Sequence, residues 1–424
     1  MLINCQFGCN RNNQRQIDKK ISALLEDVYV QENYFKLKQL FEKHQEELSR
    51  VEKLYFSALI NNAFYDHKTS NADIDRLLRR YVRKLNETKL MHLHKAKFMN
   101  HYNLYEYKNA LASCSLLIAD YKHIMDSAAY VNLFNDEKIL SALRSSPRQE
   151  IIKNGDSWIE MRRDKMGLLN ISMTIDTDSI DFLFDTGSSF SFIKRSIAEN
   201  AGLSIFDVNF EVEGATGAVV VCDIALMPKF SIGNLEVKNA VFWVFDDKDV
   251  TLPEYDYSVN GAIAFPIIKS MEEVHIIFED SIFVPRVPEE YKFENLAIND
   301  LDPVLAVIVN GDTLPYYFDT GSAFSSLYKP YYDKFSEEID STYEQFSFNI
   351  GSLGGVREFT CYIIDSLQME VAGSSAVVHD IETHTEFIYK DPEKVYGNLG
   401  QDFVLQFGRM VISTKCASVF LSNH

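Results

Sequence analysis

LNISMTIDTDSIDFLFDTGSSFSFI (169–193) and LAVIVNGDTLPYYFDTGSAFSSL (305–327) decide how this 424-residue chain is read. Each opens on an apolar stretch, passes a polar turn, returns as a second apolar run and then reaches Asp-Thr-Gly-Ser, a pattern of two strands feeding a loop. The agreement continues downstream. About 30 residues after each aspartate comes a Gly-x-x-Gly hairpin, Gly214 to Gly217 in one case and Gly351 to Gly354 in the other. GAIAFPII (261–268) begins 76 residues after Asp185, and GNLGQDFV (397–404) begins 78 residues after Asp319. Register kept across three landmarks predicts an internal duplication.

A single Asp-Thr-Gly carries little weight, because ordinary amino-acid usage produces one by chance in roughly a tenth of chains this long. Two in matching register, each behind a buried strand, carry much more. On these residues, about 160–424 resembles the clan AA aspartic peptidases, and in particular two fused copies of a retropepsin-like unit. The resemblance implies an all-β, pseudo-twofold double barrel with one catalytic carboxylate per half. Both halves show a glycine-rich hairpin where a flap belongs, Gly214-Ala215-Thr216-Gly217 and Gly351 to Gly354 and Gly355, whereas the pepsin pattern has one flap with a tyrosine that EGATGA (213–218) lacks.

The chemistry accounts for these residue types independently. Amide hydrolysis by water needs a base and an acid together, and two carboxyl groups about 3 Å apart cannot both ionise, so the pair shares one proton. Asp185 and Asp319 are the candidate catalytic pair. Gly187 and Gly321 are expected to let the backbone turn so that each carboxylate meets its partner. The resemblance implies that Thr186 and Thr320 interlock across the pseudo-twofold axis. Ser188 and Ser322 are expected to donate to the neighbouring carboxylate, lowering the pair's pKa values and giving an acidic optimum. One departure stands out: Ala262-Ile263-Ala264 carries alanine where the second half has glycine in Asn398-Leu399-Gly400, and Asn398 is polar in an otherwise apolar element.

Outward from these motifs, punctuation divides the chain. No glycine lies between Gly8 and Gly155, and no proline precedes Pro147. Helices tolerate neither residue in their interiors, so an all-α region is expected before Pro147 and strands after it. Residues 1–147 hold 22 Lys+Arg against 17 Asp+Glu, and the remainder 20 against 44, so the net charge of −19 belongs to the C-terminal part. Apolar spacing in YFKLKQLFEKHQEEL (34–48), ADIDRLLRRYVRKL (72–85) and NLYEYKNALASCSLLI (103–118) predicts helical hairpins starting about 35 residues apart. That period and the step Tyr107-Lys108-Asn109-Ala110 resemble the tetratricopeptide family; an irregular helical bundle is the other reading. The expected divisions are a helical-hairpin domain over 1–147, a first retropepsin-like lobe over 148–292 and a second over 293–424.

Several function classes are set aside at this stage. With 46% apolar residues the chain is not intrinsically disordered, and no apolar run nears the ~20 residues of a membrane-spanning helix. His92 and His94 point about 200° apart on a helix and do not share a metal ion. The basic stretch RLLRRYVRK (76–84) alternates with apolar residues as a solvated helix face does, and no nucleic-acid partner is expected. No cofactor or metal is needed. Six scattered cysteines without a CxxC pair read as reduced, mostly buried thiols. MLINCQFGCN (1–10) is either a truncated export signal, which would put the protein in the periplasm or lipid-anchored in a bacterial envelope, or a frayed start of a cytoplasmic protein.

Two functional readings follow. One is an aspartic endopeptidase that cuts an extended polypeptide, acting as a monomer with an intramolecular pseudo-dimer, its helical domain engaging a protein partner. The other is a catalytically silent peptide-binding protein on the same scaffold.

Overall fold

In the computed structural model, residues 18–213, 219–278, 281–352, 355–387 and 394–423 are described. Helices occupy the N-terminal part: α1 (18–30), α2 (Tyr34–His44), α3 (Arg50–Ala63), α4 (His67–Arg80), α5 (Glu87–Asn103), α6 (Tyr107–Tyr121) and α7 (Ser127–Leu143). From α2 onward they form three hairpins with one local grammar. Each first helix ends in a 3₁₀ turn, Gln45–Glu47, Val82–Lys84 or Lys122–Ile124. Each second helix then starts on a side-chain cap: Ser49, Asn86 and Asp126 accept from the backbone N–H groups of Glu52, Lys89 and Ala129. One residue in the left-handed region, Glu32, Tyr65 or Tyr105, precedes each hairpin. The basic residues of 76–84 face solvent while Ile74 and Leu77 are buried. His92 meets the Tyr55 hydroxyl at 2.8 Å, and His101 meets Glu106 at 2.6 Å.

After residue 148 the chain builds two rings of hydrogen-bonded strands. The first uses β1 (Leu169–Ile175), β2 (Asp178–Asp185), β3 (Phe192–Lys194), β4 (Val219–Ile232), β5 (Leu235–Phe245) and β6 (Gly261–Ala264), in the order β1-β2-β6-β3-β5-β4 and back to β1. The second uses β7 (Asp302–Val309), β8 (Asp312–Phe318), β9 (Ser326–Leu327), β10 (Gly355–Val371), β11 (Ser374–His384) and β12 (Gly397–Leu399), in the order β7-β8-β12-β9-β11-β10 and back to β7. Strand for strand, the two orders correspond. In β1 buried and half-buried residues alternate, as a strand with one face on the core requires. At the end of β2, by contrast, Phe182, Leu183 and Phe184 are all buried, because neighbours cover both faces there. The loops correspond as well. Asn310-Gly311 joins β7 to β8 with both φ angles positive, the backbone of a tight two-residue hairpin, and Asp176 opens the matching β1–β2 turn with φ 52°.

A further antiparallel sheet joins the rings. Its order is Ser157–Arg163, Ser281–Val284, Glu273–Ile277, Arg409–Ser413, Ser418–Ser422, and at its centre Glu273 to Ile277 pair with Ser413 to Arg409. The two central strands reach it by the same route, one from β6 through the helix Phe265–Ser270 and the other from β12 through Gln401–Val404. One hydrophobic core therefore runs through both rings, from Phe182 and Phe242 to Phe318 and Ile412.

The helical array docks on both rings. Ile139 and Leu140 of α7 share a buried cluster with Phe210, Val220 and Cys222 of the first ring's outer hairpin. The Tyr105 hydroxyl donates to the Pro266 carbonyl at 2.6 Å, Tyr65 to the Ala297 carbonyl at 3.1 Å, and Tyr34 to Asn299 at 2.7 Å. Lys95 pairs with Asp300 at 3.0 Å. Apolar packing and neutral hydrogen bonds thus act beside ion pairs, which also include Lys38 with Glu294 and Glu32 with Lys394, and only the ion pairs are salt-sensitive. Cys114, Cys222 and Cys361 are free and buried, and Cys416 is free and half-buried. No helix among the described residues is long and apolar enough to cross a membrane.

Leu140 is fully buried, so Leu140→Ala removes contacts on both sides of the docking cluster. It is expected to lower stability by about 2–5 kcal/mol in urea denaturation. Val131→Ala, at an exposed position of the same helix, is expected to stay within about 0.5 kcal/mol of the parent.

Candidate active site

Asp185 is the last residue of β2 and Asp319 follows β8 directly. Both loops leave their rings at the same place, beside β6 and β12: Ala264 lies alongside Asp185, and Leu399 alongside Phe318. One chain supplies both carboxylates, so the pair is complete without a second copy.

The glycines are required by space rather than by handedness. Neither Gly187 nor Gly321 has a positive φ, which corrects the expectation of a sharp turn that glycine alone could make. A Cβ on Gly187 would lie 2.2 Å from Cγ of Asp319, and one on Gly321 would lie 2.8 Å from Cγ of Asp185. Each loop packs its glycine against the carboxylate of the other.

The threonines hold this arrangement. The Thr186 N–H donates to Oγ1 of Thr320 at 3.1 Å and the Thr320 N–H to Oγ1 of Thr186 at 2.9 Å. Each hydroxyl in turn donates to the opposite strand, Thr186 to the Phe318 carbonyl at 3.0 Å and Thr320 to the Phe184 carbonyl at 2.7 Å. All four bonds cross between rings. Both threonines are fully buried, so none of the four groups can turn to water instead.

Each carboxylate accepts a backbone hydrogen bond, Asp185 from the Gly187 N–H at 2.9 Å and Asp319 from the Gly321 N–H at 2.7 Å. The two residues open partly toward solvent, yet their carboxyl groups lie deep enough for desolvation to be the largest influence on each. Burial, the neighbouring Asp319 charge and a hydrogen bond between the pair hold Asp185 well above the ordinary carboxylate range. Burial also raises Asp319, against hydrogen bonds from the Gly321 N–H, Asp185 and the Asn398 side chain.

The serine expectation needs correction. The hydroxyls of Ser188 and Ser322 donate to the carbonyls of Phe190 and Phe324, at 2.9 and 2.8 Å, and so serve their own loops. It is the backbone N–H groups of these serines that act on the carboxylates. The loop turns back on itself within two residues, and this aims each hydroxyl away from the pair.

Supporting residues not singled out from sequence lie just beyond. Ser191 accepts from the Ala264 N–H and Ser325 from the Gly400 N–H, each at 3.0 Å, tying the loops to β6 and β12. A serine six residues after each aspartate was the available signal. Arg163 donates to Gln401 at 2.6 Å, and Gln401 donates to the Thr320 carbonyl at 2.8 Å, a chain that runs from an exposed arginine to the buried loop with no motif behind it. Ala264 is fully buried without displacing its loop's bond to Ser191, whereas a Cβ on Gly400 would meet the Phe324 backbone at 2.4 Å. The two halves also differ in exposure. Phe190 stacks on Trp243, with ring centroids 4.4 Å apart, and lies 5.9 Å from Tyr102 of α5, while its counterpart Phe324 is 73% exposed.

Of the flap candidates, Gly214, Ala215, Thr216, Gly217 and Gly354 lie outside the described residues. The hairpins that lead to them occupy equivalent places: Ser204–Glu213 pairs with β4 up to Glu213 and Val219, and Gln345–Ser352, which contains Gly351, pairs with β10 up to Ser352 and Gly355.

Comparison with known proteins agrees with the first ring. Residues 171–254, which span Asp185 and its hairpin, match the family model described as aspartyl protease. No curated protein matches the chain.

Thr186→Val keeps shape but leaves the Thr320 N–H and the Phe318 carbonyl unpaired in a dry site. A loss of about 2–4 kcal/mol is expected in chemical denaturation. Asp302 offers a pH test. It starts β7, accepts from the Ser189 hydroxyl, and burial raises it from an ordinary 3.8 to about 6. A carboxyl group raised on folding binds more protons folded than unfolded between those values, so its burden on stability grows as pH rises through about 6 and vanishes below about 4. Asp302→Asn is therefore expected to raise Tm by a few degrees at pH 8, about 2–4 °C per kcal/mol, and to leave it unchanged at pH 4.

Proposed function

We propose that this chain is an aspartic endopeptidase whose catalytic pair is Asp185 and Asp319, built from two duplicated lobes over 148–292 and 293–424. The observation that carries the reading is the interlocked pair of Asp-Thr-Gly loops, which presses two carboxyl groups together in one low-dielectric site. Like charges so placed share a proton, and a protein with no use for that proton gains nothing from the arrangement. The family match over 171–254 supports the same chemistry for the first lobe. The corresponding strand orders support duplication for the second.

The ionised carboxylate takes a proton from a water held between the pair as the water oxygen attacks the scissile carbonyl, and the protonated carboxyl donates to the carbonyl oxygen. A tetrahedral diol forms with no covalent link to the protein. Its collapse transfers a proton to the leaving amine and restores the shared proton. Thr186, Gly187, Thr320 and Gly321 keep the carboxyl groups from separating, and the backbone N–H groups of Ser188 and Ser322 limit how far burial raises them. The substrate is an extended polypeptide lying under the two hairpins, where a strand's backbone meets the hairpin edges. The helical array, with Val131 and Phe134 exposed on α7, is the surface for a protein partner.

Incubation of a mixed peptide library at pH 3 to 8 tests this. The protein is expected to cut peptides with an optimum in the weakly acidic range, since burial raises both carboxyl groups above their ordinary values. Asp185→Asn and Asp319→Asn are each expected to reduce cleavage roughly 10³-fold or more while remaining folded. Peptide binding without cleavage at any pH would favour the silent scaffold.

A further inference from the structure

The two carboxyl groups do not have equivalent surroundings, and the difference comes from one side chain. β12 runs parallel to β8 with Asn398 beside Tyr317, so Asn398 faces the same side of the ring as Tyr317 and, two residues on, Asp319. Asn398 is 6% exposed, and its side-chain amide lies among the hydrogen-bonding neighbours that work to lower Asp319. Its Oδ1 is buried and finds no donor among the described residues. At the equivalent register of the first ring stands Ala262, beside Leu183, which offers nothing to Asp185.

A buried amide oxygen without a partner costs about 1–3 kcal/mol, and the first ring shows that a small apolar residue serves the strand equally well. The cost is understandable when the other end of the amide acts on something. Only an N–H donor can bond a carboxylate acceptor, and such a bond favours the ionised over the protonated form. The other charged groups facing Asp319 bear on it differently. Asp185 is its partner, Arg163 reaches the loop only through Gln401 and the Thr320 carbonyl, and Asp402 is engaged with Ser325. The bias between the two halves therefore lies with Asn398.

We propose that Asn398 is a positioning residue that holds Asp319 as the carboxylate and leaves the shared proton on Asp185. Resting on the peptidase reading, this fixes the direction of the reaction. Asp319 removes the proton of the attacking water, and Asp185 donates to the carbonyl oxygen. On collapse of the diol the proton on Asp319 passes to the amine nitrogen as the C–N bond breaks, and Asp185 recovers a proton from the diol hydroxyl. At Asp185 the partner's charge and the bond to it add to burial, with the Gly187 and Ser188 N–H groups against them, while at Asp319 four hydrogen bonds, from Gly321, Asp185, Asn398 and Ser322, work against burial.

The test compares the full chain with Asn398→Ala and with Asn398→Leu, which fills the vacated volume with an apolar side chain. Two readouts are needed. In peptide cleavage, kcat is expected to fall about 10-fold or more with KM little changed, and the acid limb of the pH profile is expected to move to higher pH because Asp319 becomes easier to protonate. In ¹³C-carboxyl NMR of aspartate-labelled protein, assigned with Asp185→Asn and Asp319→Asn, Asp319 is expected to ionise at lower pH than Asp185, and that order is expected to collapse in both Asn398 variants. Tm should hold or rise as the orphaned Oδ1 is removed. An unchanged pH profile, or an unchanged titration order, in a folded variant would overturn the proposal. The NMR readout does not depend on turnover, so a protein that cuts nothing would sink the peptidase reading and still decide the role of Asn398.

Discussion

Four hydrogen bonds between Thr186 and Thr320 and the strands behind them set the terms for the rest of the molecule. Each threonine satisfies a backbone donor and a backbone acceptor of the opposite ring at a place shut off from solvent. Moving one ring relative to the other breaks them together, leaving buried groups unpaired. This is why two rings with separate strand orders share a core and a central sheet. It is also why Gly187 and Gly321 can touch the opposite carboxylates without any slack for a side chain.

Around this symmetric centre the protein is asymmetric. The helical array covers the first ring's outer hairpin through Ile139, Leu140 and Phe210 and approaches the first loop through Tyr102 and Phe190. The second loop shows Phe324 to solvent instead. Alanine and glycine alternate behind the loops, and Asn398 has no counterpart in the first ring. Corresponding strand orders set up a site with two like halves, and a few contacting residues differ between them.

Much of this was legible beforehand. The division at Pro147 rested on the absence of glycine and proline from helix interiors, and the hairpin grammar of Ser49, Asn86 and Asp126 is written in capping residues. The pairing of Asp185 with Asp319 was readable because each sits in a repeated context. Other details were misread for a physical reason. The Ser188 and Ser322 hydroxyls had two acceptors within reach, a carboxylate and a carbonyl two residues on, and loop curvature chose the carbonyl. Asn398 was visible as a polar residue in an apolar element, but nothing local showed that its neighbour across the sheet leads to Asp319.

The sequence by itself therefore determined the classes of element, the order of the two halves and the identity of the paired carboxylates. These depend on local sterics, on periodicity and on repetition, all of which are written along the chain. Tertiary structure decided that the glycines serve close approach rather than a turn, that the serine hydroxyls turn away, and that a buried amide lies on the Asp319 side where the first ring has Ala262. Those outcomes depend on which atoms from strands far apart in sequence come within hydrogen-bonding distance, and a shift of an ångström is enough to change a partner.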